Sequence, residues 1–192
     1  MTDTLIVGLD SWIIEDGNYP EFSRDAEFAF ALELYASSPL KAVEPASQPV
    51  PSLTHVGGAH YEVLGQVVYV ADDWWVVDIG VLTFREERLP TELRQGSWLR
   101  GKIFIGIDPF FYFERLAHQP GAPPLIYDWK IEKIEEQTSP LIEVRPRVMT
   151  RDPNQLGWKE VDKTNAREDA GEYLLHCSRM GGPRLPIGKR HP

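Results

Sequence analysis

The sequence predicts a mainly β protein: a small closed or partly open barrel with an extra N-terminal hairpin, added C-terminal strands and few short helices. Three observations carry that expectation. Apolar residues alternate with period two over several separate runs, glycines interrupt two of those runs, and only one short stretch reads convincingly as a helix.

The run "TLIVGLDSWII" (4–14) reads as a strand closed by the turn-rich "EDGNYP", and "EFAFALELY" (27–35) as a half-buried strand. In the second, Phe28, Phe30, Leu32 and Leu34 share one face, and Glu27, Ala29, Ala31, Glu33 and Tyr35 share the other. Ala, Glu and Leu are also helix formers, but the alternation favours a strand. Together the two runs predict a hairpin with a long connection over 1–44. "SSPLKAVEPASQPVPS" follows, with four prolines in sixteen residues. Fixed φ angles and missing amide donors make 45–59 an extended linker.

The best organised block is 60–137, the expected barrel core. "HYEVLGQVVYVA" (60–71) and "WWVVDIGVLTF" (74–84) are separated by Asp72 and Asp73, a hairpin signature. Gly65 and Gly80 mark bulges or bends that coil a sheet. "GSWLRGKIFIGID" (96–108) resumes the alternation. Asp108 followed by Pro109 starts a helix over 109–117, with the carboxylate capping free amides and the proline at the first helical position. "LIYDWKIEKIEEQ" (125–137) is a further strand, with Ile126, Asp128, Lys130, Glu132 and Ile134 opposite Tyr127, Trp129, Ile131, Lys133 and Glu135.

Residues 138–192 form a less regular extension. Short strands are expected at 141–149 and 157–163, a single helical turn in "NAREDAG", a final strand in "GEYLLHCSRM" and a frayed tail in "GGPRLPIGKRHP". The length of 192 residues fits one enlarged domain.

The strand spacing and glycine placement in "GQVVYVADDWWVVDIG…GSWLRGKIFIG" resemble an OB-fold, the five-stranded barrel used for oligonucleotides, oligosaccharides and protein partners. The resemblance covers 60–137 and implies a barrel, with no diagnostic motif for any one ligand. The expected helix at 109–117 follows the fourth strand, whereas the family carries one between strands three and four.

Composition narrows the function. The net charge of −9 opposes a phosphate backbone, because sequence-independent nucleic-acid affinity comes mainly from cations. The charge is uneven: residues 1–59 carry net −7, 60–137 net −5 and 138–192 net +3. Packing of the basic last third on the acidic first third is the plain account of that asymmetry. The N-terminus has neither a basic region nor a long apolar run, and no segment approaches the length of a membrane span, so a cytoplasmic protein without membrane contact is expected. Cys177 is the sole cysteine, which excludes an intrachain disulfide and predicts a buried thiol.

Spacing characteristic of phosphate loops, dinucleotide sites, nucleophile elbows and zinc proteases is missing. The five histidines are scattered, so no metal and no cofactor is expected. His60 in "GGAHYEV" stands out because the preceding glycines admit a close ligand. Asp78 interrupts an apolar run: it is either a buried acid of functional type or a partner for amides at the Gly80 bend. With Asp108 it would make an acid pair. Asp128, between Tyr127 and Trp129, has the composition of a sugar site as well as of an ordinary strand.

The aromatic run "DPFFYFERL" (108–116) has two uses. A short helix puts Phe110, Phe113 and Ala117 on one side as a plug for a barrel end. Alternatively Phe111 or Tyr112 stays exposed and joins Trp74 or Trp75 in an interface. Base stacking on the same rings would need a groove of cations, for which Arg85, Arg88, Arg94, Arg100 and Lys102 are available. The reading that follows is a non-catalytic cytoplasmic module binding a protein partner, with an inhibitor or immunity-type role as one form. The alternatives are single-stranded nucleic-acid binding through the barrel, and an enzyme or sugar-binding protein using acidic and aromatic residues.

Overall fold

The computed structural model describes residues 4–44, 49–166 and 171–187. Among the described residues there are fourteen strands: β1 (Thr4–Asp10), β2 (Glu27–Phe30), β3 (Leu32–Ala36), β4 (Lys41–Val43), β5 (Ser52–Gly57), β6 (His60–Val70), β7 (Trp75–Asp78), β8 (Leu82–Arg85), β9 (Trp98–Ile107), β10 (Ile126–Gln137), β11 (Leu141–Arg145), β12 (Val148–Arg151), β13 (Trp158–Val161) and β14 (Glu172–Arg184). The two short α-helices are α1 (Ser11–Glu15) and α2 (Phe111–Glu114). The mainly β class and the closed barrel are as the alternation predicts.

The barrel is a ring of five strands, β6-β7-β8-β3-β9, closed by the pairing of β9 with β6. The predicted hairpin β6–β7 forms around Asp72 and Asp73, and β7–β8 turns through Gly80 at φ 98°. Gly65 sits where β6 passes from pairing with β9 to pairing with β7. A Cβ there would lie 2.7 Å from Ile79 and 2.8 Å from the Asp78 carbonyl oxygen, so the bend needs glycine. The ring-closing strand between β8 and β9 is β3, supplied from upstream, and not the 125–137 run. That run, β10, pairs instead with β14, β2 and β13 outside the ring.

The expected N-terminal hairpin does not form. β1 pairs antiparallel with β14 over seven residues, Thr4↔Ser178 to Asp10↔Glu172, and touches β9 at Gly8↔Gly106. The 27–35 run divides at Ala31, its first half on β10 and its second in the ring. Phe30, Leu32 and Leu34 enter the main core as predicted, but Ala31 and Glu33 on the opposite face are buried too. A second layer covers them. The proline-rich stretch contributes β4, paired with β9, and Ser52–Gly57 of the expected linker is β5, paired with β6.

In β10 the strict alternation fails at a bulge between Ile131 and Lys133. The extra residue resets the face, so Ile134 joins Tyr127, Trp129 and Ile131 in the core. The predicted strand at 141–149 is a hairpin, β11–β12, with Pro146–Arg147 at its turn, and β14 extends through Arg184 into the expected tail. The helical turn expected in "NAREDAG" lies largely outside the described residues. Among the described residues, no helix is long and apolar enough to cross a membrane.

Candidate functional site

The predicted aromatic platform is mostly interior. Trp74 and Trp75 are fully buried, Trp75 in the main core and Trp74 in a second cluster on the outer face of β7 and β8. That cluster joins Val76 and Phe84 to Tyr112, Leu116, Leu125 and Ile126. Tyr112 is buried in this cluster, its hydroxyl donating to the Pro123 carbonyl at 2.6 Å and accepting the Leu125 amide at 3.1 Å. The predicted plug residues divide, Phe110 packing on the main core and Phe113 and Ala117 on the second cluster. Phe110, at φ 87°, lies outside α2, which therefore starts two residues later than predicted, and its ring stacks on Phe113 at 4.5 Å. Of the four aromatic residues in the run only Phe111 is well exposed, at 42%. In OB-type barrels oligonucleotides lie across the second and third strands of the meander. Here those strands are β7 and β8, and the chain's own 108–126 segment covers them.

The acids singled out in the sequence, Asp78, Asp108 and Asp128, each have a partner in the structure. Asp78 Oδ1 accepts the Gly80 amide at 2.8 Å, the plain alternative for that residue. Asp128 pairs with Arg184 at 2.7 Å. Asp108 is buried and caps α2 as predicted, accepting the amides of Phe111 and Tyr112 at 2.9 and 3.1 Å. Tyr127 accepts the Leu82 amide through its hydroxyl and Trp129 donates to the Phe30 carbonyl, so "YDW" packs inward at both aromatics. Arg100 and Lys102 are exposed on β9, across from Lys41 and Glu62 respectively.

Asp108 has a neighbour the sequence did not suggest. Glu33 is also buried, accepting the Tyr35 hydroxyl at 2.6 Å with the Arg85 guanidinium at 3.5 Å. Burial holds both carboxyls above their ordinary range; the Glu33 charge raises Asp108 further, and the Glu86 charge raises Glu33. Arg85 also lies over the Tyr35 ring, 4.7 Å from its centre. Burial pushes the Cys177 thiol up, as for an inert interior cysteine.

One open surface lies where β1, β9, β14 and the β5–β6 turn converge. Gly8 and Gly106 pair there, and the Phe104 ring fills the space above Gly8, where a Cβ would come within 2.1 Å of it. On one side of Phe104 a hollow of about 240 Å³ is walled by Trp12, Tyr35 and Pro109. On the other, a cleft of about 340 Å³ reaches His60, Leu156, Trp158, Glu172 and Gln137. Asp10 borders both. His60 meets Phe104 edge-on at 5.3 Å, so this candidate does lie at an accessible site. Trp12, Phe104, Trp158 and Gln137 were not suggested by the sequence, since they belong to distant segments with no shared spacing.

At the foot of this cleft, from Gln137, rises the β11–β12 hairpin. It is a two-stranded sheet of its own. Leu141, Ile142, Val144, Val148 and Met149 are all exposed on it, Val144 at 53% and Met149 at 52%. Among the described residues no group of three or more His, Cys, Asp or Glu side chains is placed to hold a metal ion.

Fold and surface define a mainly β protein built on a closed five-stranded barrel, with extra strands bonded outside the ring and an apolar hairpin beside an aromatic cleft. No protein-family model, curated protein or solved structure matches the chain. The OB resemblance therefore stands at the level of the barrel alone, and a barrel does not choose a function.

Proposed function

We propose that the chain is a non-catalytic, cytoplasmic module that binds another protein, with the β11–β12 hairpin as its principal contact. The observation that carries this reading is the exposure of five large apolar side chains on a ribbon that pairs with no other strand among the described residues. A lone two-stranded ribbon is marginally stable in water, and several exposed apolar side chains on one, here spread over both its faces, mark an interaction site. Covering Val144 and Met149 with a partner recovers roughly 1.5–3 kcal/mol for each side chain buried. Arg145, Arg147 and Arg151 outnumber Glu143 on the hairpin, so the facing surface carries acid around an apolar centre. The acidic body behind suits a partner with a basic region as well, and an inhibitor or immunity-type role is one form of this reading. Charge complementarity of that kind speeds association. The single reduced cysteine supports the cytoplasm.

The test is affinity capture from the native host lysate, with nuclease treatment, comparing the wild-type chain with Val144→Ser/Met149→Ser. A stoichiometric protein retained by the wild type and lost from the double variant supports the proposal; equal retention by both overturns it. Single-stranded nucleic-acid binding is favoured by one observation. Lys41, Arg100 and Lys102 share a groove of about 660 Å³ and have no ion pair among the described residues. Its signature is retention abolished by nuclease and weakened steeply by salt.

A further inference from the structure

Beside the hairpin, the cleft of about 340 Å³ is lined by hydrogen-bond acceptors and aromatic walls. Asp10 and Glu172 stand directly opposite each other on β1 and β14. Like charges in that position destabilise a sheet. Neither has an ion pair among the described residues, and Asp10 only accepts the Trp12 indole N–H at 3.3 Å. Burial raises the Glu172 carboxyl above its usual range and the Asp10 charge adds to it, with Arg151 of the hairpin drawing it the other way. An independent observation concerns Gln137, which also lines the cleft. Gln137 is more than nine-tenths buried, and its Oε1 has no hydrogen-bond partner among the described residues. A buried acceptor left unsatisfied is costly, and a donor that reaches it from the cleft removes that cost.

The ligand chemistry follows from the lining. Two carboxylates and an amide oxygen accept several N–H bonds and supply negative charge. Phe104 and Trp158 supply flat faces. A guanidinium matches this set better than an ammonium, because it presents five donors in a planar fork and stacks on aromatic rings. The volume is in the range of small-ligand pockets. Since the cleft opens at the base of the hairpin, we propose that it receives an arginine side chain of the protein partner that the hairpin engages. This inference rests on the protein-binding reading for the source of the arginine, but its test does not need the partner.

The test titrates the isolated full chain with an acetylated, amidated Gly-Arg-Gly peptide and with the same peptide carrying citrulline. The readout is the NMR shifts of the Trp158 indole and of the Gly57 and Gly58 amides. The arginine peptide is expected to give saturable shifts at these signals and the neutral citrulline peptide none. Glu172→Gln weakens binding about tenfold or more, by loss of a charge-assisted bond. Gln137→Met weakens it as well while leaving thermal stability equal or higher, because it deletes an unsatisfied acceptor at similar volume. That pattern separates a ligand contact from a structural role. Equal shifts with both peptides, or none with either, overturn the inference. Failure here with hairpin-dependent capture intact leaves the protein-binding reading standing, and the converse result keeps the arginine site while removing its assignment to a partner of the hairpin.

Discussion

Asp108 and Glu33 show how much one side chain can decide here. Asp108 holds the first turn of α2 through two amides, and with it the aromatic segment that covers β7 and β8. Asp108→Ala should cost about 1–2 kcal/mol, the usual range for a lost cap, measured by urea denaturation. Tyr112→Phe deletes a hydroxyl that bonds both Pro123 and Leu125. It leaves a buried carbonyl and amide without that partner and should cost roughly 1–3 kcal/mol. The pH dependence follows from the raised carboxyls. A group whose pKa is higher folded than unfolded stabilises fully below its unfolded value, about 4, and that contribution is lost as pH rises through the folded value. The wild type is therefore expected to gain stability from pH 7 to pH 5 relative to Glu33→Gln. A difference between the two proteins that stays flat across that range would contradict the assignment.

At the scale of elements, stability and exposure separate cleanly. β10 and β14 pair with each other along most of their length and bury Tyr127, Trp129, Ile131 and Leu175. The hairpin β11–β12 buries none of its apolar side chains. Amide hydrogen exchange should find the hairpin amides poorly protected and those of β10 and β14 among the slowest, as local opening follows buried contact. Val144→Ser/Met149→Ser should change unfolding free energy by no more than about 0.5 kcal/mol, as surface substitutions do. Partner loss in that variant is then a surface effect. The bend of β6 is the opposite case. Gly65→Ala drives a methyl into the Ile79 side chain and the Asp78 carbonyl, and overpacking of this kind costs about 1–3 kcal/mol.

On the scale of the whole molecule, the ring and its surroundings cannot be cut at the boundaries of the best-patterned block. The segment 60–137 lacks β3, which closes the ring, and lacks β14, the main partner of β10. Expressed alone, it should show no cooperative thermal unfolding, while the full chain unfolds in one transition. A folded, cooperative fragment would mean that β10 can replace β3 in the ring.

Local chemistry was legible because neighbours in sequence carry it. The alternation in 60–84, the acidic turn at Asp72–Asp73, the Asp108 cap and the Asp78–Gly80 bond all act over a few residues. So the sequence by itself determined the mainly β class, the β6–β7 hairpin and the bends of the barrel. Only the tertiary structure decided which strand closes the ring, since β3 and a strand after β9 have the same period and pairing energy depends on a partner far along the chain. It also decided burial of Glu33 and Tyr112, because alternation assigns a residue to a face and not the layer that covers that face. The cleft depends on the same physics: Asp10, Phe104, Gln137, Trp158 and Glu172 meet through pairings that span most of the chain, and no spacing within one segment records such a meeting.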